Sequence, residues 1–336
     1  MPCMKNLTDR RQTLAAIVAC ALAPAAWTVR AQTAFPLAKP ARLLVGFPPG
    51  GSADLMARAL LPHLGSYASS IIVDNKPGAG GRIALDAGKL AEADGTTVVV
   101  TPSSMLTIYP HIYRKLNYDP LKDFLPVANI ASFPFVLVVG PAVPAGVKTL
   151  KEFLNWCQAN PAKAAYASPG NGSTPHFAGA ALARASRVEL THVPYKGGAP
   201  AMNDVVGGQI AANIAVISNA LPMIQSGKVR ALAVTGNVRS SALPDVPTMQ
   251  EAGFRGVQVI ESFYVLLPSR VAPETARRLH QAVADAMQSR GMQDLLAKAS
   301  FDPAPPALMG DLARSYRQDI DRWGAIVKAA GFTPED

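Results

Sequence analysis

Short β-type runs alternate with longer helical patterns along most of this chain, and that alternation limits the folds it can adopt. Strands that alternate with helices in this way predict parallel sheets covered on both faces. The β-type runs lie at residues 71–73, 97–100, 135–139, 190–193, 210–216 and 231–234. The helical patterns between them lie at residues 82–93, 149–159, 175–187 and 199–206.

The tail beyond Pro268 is different, because it reads as helix after helix. Helical patterns cover residues 273–289, 292–299 and 308–330, with the proline-rich stretch Pro303–Pro306 as a break. A tail without strands of its own is expected to pack across other elements. Thr149 and Glu152 have the spacing of a capping box, which predicts a helix start at that point.

The first 31 residues have the organisation of an export signal. Basic residues precede an apolar run at residues 13–26, which is too short to span a bilayer, and a small-residue cleavage site ends at Ala31. Sec and twin-arginine export both stay open, as does lipid anchoring at Cys20. We expect a periplasmic mature protein in which Cys157 is a buried, inert thiol.

The roughly 305 residues that follow are enough for two domains. The formal net charge is +9, but the basic residues are scattered and form no run that could track nucleic acid. The histidines lack metal-ligand spacing, and the chain has no lipase-type nucleophile motif. The sequence therefore predicts no nucleic-acid partner, no metal and no cofactor.

A glycine-rich loop follows the apolar run at residues 43–45 and precedes a helical pattern. It reads Phe47-Pro48-Pro49-Gly50-Gly51, with Ser52 as the expected N-cap and Asp54 in the first turn. A strand, a glycine loop and a helix start together indicate an anion site built from backbone N–H groups. The loop has neither the lysine of a phosphate loop nor the spacing of a dinucleotide loop. A plain turn between strand and helix remains the alternative.

A second loop at residues 165–176 repeats this arrangement. Ser168, Ser173 and Thr174 offer hydroxyl donors, Thr174 is the expected N-cap, and the first-turn N–H of His176 is unpartnered in a helix. A third loop at residues 194–200 also follows a strand. Such loops lie at the carboxyl ends of strands, where α/β proteins bind ligands, so the set suggests a cleft that closes over a small anion.

Eight ordered motifs carry a family resemblance over residues 41–332. They are FPPGGSADLMAR (47–58), VDNKPGAGG (73–81), ADGTTVVVTPSS (93–104), YDPLKDFLPVA (118–128), YASPGNGSTPH (166–176), HVPYKGGAPAMNDVVGGQ (192–209), VRALAVTG (229–236) and LPDVPTMQEAGF (243–254). With these motifs the chain resembles the Bug-type extracytoplasmic solute-binding proteins of the tripartite tricarboxylate transporter family.

The resemblance implies two doubly wound α/β domains around a ligand cleft, similar to type II periplasmic binding proteins with their Venus flytrap form. Residues 32–133 and 256–336 would form the first domain, and residues 134–255 the second. The implied function is capture of a small carboxylate for the membrane subunits of the transporter, without catalysis and as a monomer. A sensor kinase as the partner, and an exported hydrolase using Ser173 and His176, are the alternatives.

The resemblance also implies which residues line the cleft. The first domain would supply Phe47, Gly50, Gly51, Ser52, Asp54, Ser103 and Ser104, and the second Ser168, Gly172, Ser173, Thr174 and His176. Ala215 and Val216 stand where the family usually has Asp-Asn, followed by Ser218, which argues for a less polar far end of the ligand and against an amino acid. Glu261, just before the later Phe263-Tyr264 pair, is a further candidate for a polar contact.

Overall fold

The structure is a computed structural model that describes residues 35–195 and 197–335. The predicted leader, its cleavage site and Cys20 lie outside the described residues. Within the described residues there are ten strands: β1 (Ala41–Val45), β2 (Ile71–Asn75), β3 (Thr97–Pro102), β4 (Phe124–Val139), β5 (Ala165–Ser168), β6 (Thr191–Pro194), β7 (Ala212–Val216), β8 (Arg230–Val234), β9 (Ile260–Pro268) and β10 (Asp302–Pro303).

Helices lie between most of these strands and after the last long one. They are α1 (Ser52–Leu60), α2 (Arg82–Lys89), α3 (Ser104–Thr107), α4 (Tyr109–Ile112), α5 (Pro120–Asp123), α6 (Leu150–Ala159), α7 (Thr174–Ser186), α8 (Gly198–Val206), α9 (Ile217–Gln225), α10 (Pro273–Gln288), α11 (Arg290–Ala299) and α12 (Met309–Ala329). Short 3₁₀ turns occur at Leu61–His63, Ala79–Gly81 and Pro161–Lys163. None of the helices in the described part of the chain combines the length and the apolar character that a membrane span needs.

All of the strands belong to one sheet, with the order β2-β1-β3-β9-β4-β7-β5-β6, and β8 and β10 also pair with β4. Strand β4 is shared by two parts of this sheet. Residues 124–134 of β4 pair with β9, and residues 135–139 pair with β7. We call β2, β1, β3, β9 and β10 the first half of the sheet, and β8, β7, β5 and β6 the second half.

The sheet is mixed, so the prediction of parallel sheets is only partly correct. The outer pairs are parallel: β1 with β2 and β3, and β5 with β6 and β7. The central pairs are antiparallel, because β9 returns along β4 in the opposite direction and β4 also runs against β7 and β8. Strand β9 lies outside the β-type runs and was expected only through the family resemblance, at the Phe263-Tyr264 pair.

Both faces of each half are covered by helices, as the alternation predicts. In the first half, Leu43 and Val45 pack in the cluster that includes α1 and α10, whereas Leu44 faces the cluster of α2, α3 and α12. In the second half, Leu137 faces the cluster of α6 and α7, and Val136 faces that of α8 and α9. The predicted α/β class is therefore confirmed.

The C-terminal helix α12 packs across elements of both halves, as expected for a tail without strands. Tyr316 lies in the apolar cluster on the first half, where Tyr264 is 5.8 Å away between ring centroids. Trp323, two turns further on, packs edge-on against Phe177 of α7 at 6.0 Å. The predicted capping box at Thr149 is present, and Cys157 is buried, which raises its pKa to about 12.

A cluster of phenylalanines packs where β4 and β9 run side by side. Phe263 has no exposed surface and lies 5.2 Å from the ring of Phe133 and 5.7 Å from that of Phe301. We expect Phe263→Ala to lower the free energy of unfolding by about 3–5 kcal/mol, because it opens a cavity in this cluster. Urea unfolding followed by circular dichroism measures the change.

The exposed Leu90 serves as the control, since its side chain is 79% accessible. Leu90→Ala should change the unfolding free energy by less than about 0.5 kcal/mol. Equal effects of the two substitutions would contradict the central position of the phenylalanine cluster.

Candidate functional site

The first glycine loop turns between β1 and α1, and its own N–H groups are largely occupied. Gly50 has a φ of 85°, which favours glycine. Its N–H donates to Oδ2 of Asp54 at 2.9 Å, and the N–H of Gly51 donates to the Pro48 carbonyl at 3.3 Å. Gly51 is the N-cap and Ser52 is the first helical residue, so the expectation that Ser52 caps α1 was wrong by one position.

Asp54 holds this loop in place from inside the protein. Its side chain is 3% exposed and also accepts hydrogen bonds from Nε of Arg58 and Nδ2 of Asn75, both at 2.9 Å. Burial opposes ionisation, but the hydrogen bonds outweigh it and keep the pKa of this carboxyl below its ordinary value. Asp54 therefore positions the loop, and its oxygens are already satisfied.

The free donors of the first loop lie at the start of α1. The first N–H groups of a helix have no carbonyl partner inside it, and those of Ser52 and Ala53 belong to this set. Ser52 is exposed at the end of the loop. Phe47, by contrast, packs inward beside Gly81, where an added Cβ would lie 3.2 Å from the Phe47 ring and 2.6 Å from Cε of Met105.

The second loop, between β5 and α7, is organised around Ser168. Ser168 has no exposed surface, its hydroxyl donates to the Gly170 carbonyl at 2.9 Å, and its oxygen lies 2.7 Å from Nε2 of His192. The Ser173 hydroxyl donates to the same carbonyl at 2.6 Å. The hydroxyl protons of Ser168 and Ser173 are therefore used inside the loop.

Ser173 is the N-cap of α7, which corrects the assignment of that role to Thr174. The Ser173 oxygen accepts the N–H of His176 at 3.4 Å, and Thr174 is the first helical residue. Gly172 has a φ of 69°, and a Cβ there would come 2.4 Å from Cδ1 of Ile112. Glycine at this position thus allows the second loop to lie against α4, which follows β3 of the first half of the sheet.

Two histidines stack beneath the second loop. The rings of His176 and His192 are 3.8 Å apart between centroids and nearly parallel, at 9°. Nδ1 of His176 accepts the Gly172 N–H at 3.1 Å. Burial lowers the pKa of each imidazole to about 4, and for His192 the neighbouring His176 adds to the effect. Both rings are therefore neutral near pH 7.

Loops from both halves of the sheet converge on the carboxyl group of Glu261. Its Oε1 accepts the Ser103 hydroxyl at 3.1 Å and the Ser104 N–H at 2.8 Å, and its Oε2 accepts the Thr174 hydroxyl at 2.5 Å. The residue is 6% exposed. Burial raises the pKa of Glu261, and the hydrogen bonds that it accepts oppose this rise only in part.

The remaining predicted residues lie near the end of β7. Ala215 is buried in the apolar cluster and pairs with Val136, and Ser218 is a half-buried residue in the first turn of α9. In the register of β4, the end of β7 meets Phe135 and Glu261 of β9 meets Phe133. The last residue of β7, Val216, and Glu261 thus face positions two residues apart along β4.

From the sequence, Glu261 was only a further candidate for a polar contact, and neither His192 nor Asn75 had a predicted role. A lone acid inside the strand pattern of residues 260–268 was the available signal for Glu261. Nothing in the sequence pairs His192 with Ser168, because these residues meet only when β5 and β6 align in parallel. In the described part of the chain, no group of three or more His, Cys, Asp or Glu residues is placed to hold a metal ion.

A mixed α/β sheet whose two halves send donor-rich loops to one buried point is the arrangement of a periplasmic solute-binding protein. Residues 57–332 match the family model described as the tripartite tricarboxylate transporter family receptor. Protein BugT of Bordetella pertussis is 33% identical over 297 residues, which is 88% of this chain and 90% of BugT. The chain belongs to this Bug-type family of solute-binding proteins.

Solved structures agree with this assignment. A Rhodopseudomonas palustris protein solved with adipate has 30% identity and a TM-score of 0.80, with 88% of this chain and 98% of that protein covered. MatC from Rhodopseudomonas palustris, solved with bound malate, has 29% identity and a TM-score of 0.75, with coverage of 86% and 98%. The predicted periplasmic-binding-protein class of fold is confirmed by these relatives.

We expect Asp54→Ala to lower the free energy of unfolding by about 2–4 kcal/mol, because it leaves the Asn75 amide and the Gly50 N–H without their shared acceptor. Chemical unfolding measures the loss. Asp294 offers a matched control, since it also has an arginine four residues away but is 62% exposed. Asp294→Ala should cost less than about 0.5 kcal/mol, and a comparable cost would contradict the role assigned to Asp54.

The stacked histidines predict a loss of stability in acid. Their folded-state pKa values, about 4, lie below the ordinary 6.5. Between these two pH values the unfolded chain therefore binds more protons than the folded protein. The stability that the two neutral histidines contribute is complete above pH 6.5 and is lost as the pH falls toward 4. We expect the difference in melting temperature between pH 7 and pH 5 to be larger in the wild type than in a His176→Asn, His192→Gln double variant.

The raised pKa of Glu261 acts in the opposite direction, because the folded state then binds the extra proton. Glu261 is present in both the wild type and the double variant, so the difference between their pH profiles reports the effect of the histidines alone. Parallel pH profiles for the wild type and the double variant would refute the prediction.

Proposed function

We propose that this protein is an extracytoplasmic receptor that binds a small carboxylate between two α/β domains and delivers it to a tripartite tricarboxylate-type transporter. The observation that carries the proposal is the meeting of Ser103 and Ser104, which follow β3, with Thr174, which follows β5, at one carboxyl group. The two relatives solved with adipate and malate support a carboxylate as the ligand class.

The proposed domains follow the sheet. Residues 32–133 with 256–336 would form one domain and residues 134–255 the other, which puts both boundaries close to the change of β4 partner between Pro134 and Phe135. A boundary at this position would leave β4 and β9 as the strands that connect the domains. Opening and closing would then need backbone changes at only a few residues.

In the proposed binding mode, a carboxylate first contacts the start of α1 beyond Gly50 and Gly51. The N–H groups of the first turn and the Ser52 hydroxyl are the donors that this loop leaves free. The second loop then approaches, with Gly172, Ser173 and His176 shaping the wall and Thr174 reaching the junction. Closure is favoured only to the extent that the ligand binds the closed form more tightly than the open one.

We propose that the protein binds its ligand without catalysing a reaction. Ser173 and His176 were the pair considered for an exported hydrolase, but the imidazole Nδ1 contacts the Gly172 N–H, and Ser173 donates its proton to a carbonyl. Ser168 lies close to His192 but has no exposed surface. Neither serine thus combines a free, accessible hydroxyl with a base, which nucleophilic catalysis requires.

The other expectations are retained as parts of the proposal. The protein would be periplasmic, with a leader removed near Ala31 in preference to lipid anchoring at Cys20, and it would act as a monomer. The transporter's membrane subunits are the proposed partner. The sensor-kinase alternative gains no support from the family or the solved relatives.

A thermal-shift screen of the mature protein against mono-, di- and tricarboxylates, including aromatic acids, tests the function. A ligand should raise the melting temperature in a dose-dependent way, because it binds only the native state. Gly51→Val should abolish this rise, because it removes hydrogen bonds between the first loop and the ligand carboxylate. Losing two such bonds, at about 1.5–3 kcal/mol each, weakens binding about a hundredfold or more.

Gly51 suits this test because its φ is −75° and an added Cβ would meet only the Pro48 carbonyl, at 3.4 Å. The substitution should therefore spare the fold. Gly146→Val, at a position where an added Cβ has no atom within 4 Å, is the control and should keep the response. A Gly51→Val protein with unchanged affinity would make the loop a mere turn, and indifference of the wild type to every carboxylate would refute the proposed function.

A further inference from the structure

Glu261 places a carboxyl group of the chain itself at the point where the loops of both halves meet. It lies near the start of β9, opposite Phe133 in the register of β4. Three groups that were predicted to hold a ligand, those of Ser103, Ser104 and Thr174, are instead bonded to its two oxygens. The recorded partners of this carboxyl among the described residues are all uncharged donors.

The donors at this junction are used up by Glu261. A hydroxyl has a single proton to donate, and the Ser103 and Thr174 protons go to Oε1 and Oε2. The Ser103 oxygen in addition accepts the Ser262 N–H at 3.1 Å. A ligand carboxylate at this position would therefore find its donors occupied by a carboxyl group that is attached to the protein.

The Ser103, Ser104 and Thr174 groups all donate to Glu261, as they do to an ionised carboxylate, and in that form charge acts in the same direction as hydrogen bonding. A second carboxylate brought close to a buried carboxylate is destabilised by like-charge repulsion in a poorly solvated site. Glu261 has low exposure, so water screens it weakly. An uncharged end of the ligand meets no such repulsion, and the free donors of the first loop lie elsewhere, at the start of α1.

We propose that Glu261 is a specificity-determining residue that makes this receptor select small monocarboxylates and reject dicarboxylates. The inference rests on the proposed function and deepens it by naming the ligand class. The single carboxylate of the ligand binds the first loop, and its uncharged end points toward Glu261. In the two solved relatives the ligands are adipate and malate, which each carry two carboxylates.

Three matched pairs of acids test this selection: butyrate with succinate, hexanoate with adipate, and benzoate with terephthalate. Isothermal titration calorimetry at pH 7.5 measures the Kd of each for the wild type. Within the pair that binds best, we expect the monocarboxylate to bind at least about tenfold more tightly than the dicarboxylate. A wild type that binds the dicarboxylate as tightly or more tightly overturns the inference.

The variant Glu261→Gln keeps the shape of the side chain, removes the charge and adds an N–H donor. It should reduce the preference for the monocarboxylate by at least about tenfold, mainly through tighter binding of the dicarboxylate. A purely structural role of Glu261 would weaken both acids alike and leave their ratio unchanged, which is the second outcome that overturns the inference.

Two further variants complete the experiment. Glu189→Gln changes the net charge by the same amount at an exposed position and should leave the ratio as in the wild type. Glu261→Met, uncharged and of similar length, replaces Glu261→Gln if the amide does not fold, with the same expected loss of preference. If neither the wild type nor the variants bind any of the six acids, the proposed function itself is refuted. If they bind but the ratio of the two Kd values is unchanged in the Glu261 variants, only the role of Glu261 is refuted.

Discussion

The continuity of β4 is the constraint on which the rest of this structure depends. One 16-residue strand pairs with β9 along its first part and with β7 along its last, so a single backbone belongs to both halves of the sheet. Each loop that follows a parallel strand is positioned relative to this strand. The meeting of Ser104 and Thr174 at one carboxyl is therefore a consequence of pairing in the sheet.

The loops satisfy their own polar groups before they can contact a ligand. Asp54 takes the Gly50 N–H, and the Gly170 carbonyl takes the hydroxyl protons of Ser168 and Ser173. These bonds are partly buried, and a buried polar group left unpaired costs about 1–3 kcal/mol, so they help to fix the loop conformations. Rigid loops with a few free donors lose little conformational freedom when a ligand binds, which favours affinity.

Local patterns predicted much of the fold, and non-local pairing accounts for what they missed. Helices α6, α7 and α12 begin and end within a few residues of the predicted positions, because caps and apolar periodicity are local signals. The antiparallel centre of the sheet was missed, since no local signal tells which distant strand lies beside β4. Both expected N-caps, Ser52 and Thr174, were one residue too late, because a glycine and a second hydroxyl residue compete for the same role. The site followed the same rule: the loops were predictable, whereas the contacts of Glu261 join residues more than 80 positions apart.

A carboxyl group attached to the protein also changes what a ligand must do to bind. Glu261 is held beside its donors by the backbone, so its effective concentration there far exceeds that of any free acid. A free carboxylate that competes for those donors must displace Glu261 and leave its charge buried, at a cost that the same hydrogen bonds cannot recover. Binding energy for the ligand then has to come from donors that Glu261 does not reach, and the first turn of α1 is the clearest such group. The first loop would accordingly supply the affinity at the carboxylate end of the ligand, and Glu261 would supply the selectivity at its uncharged end.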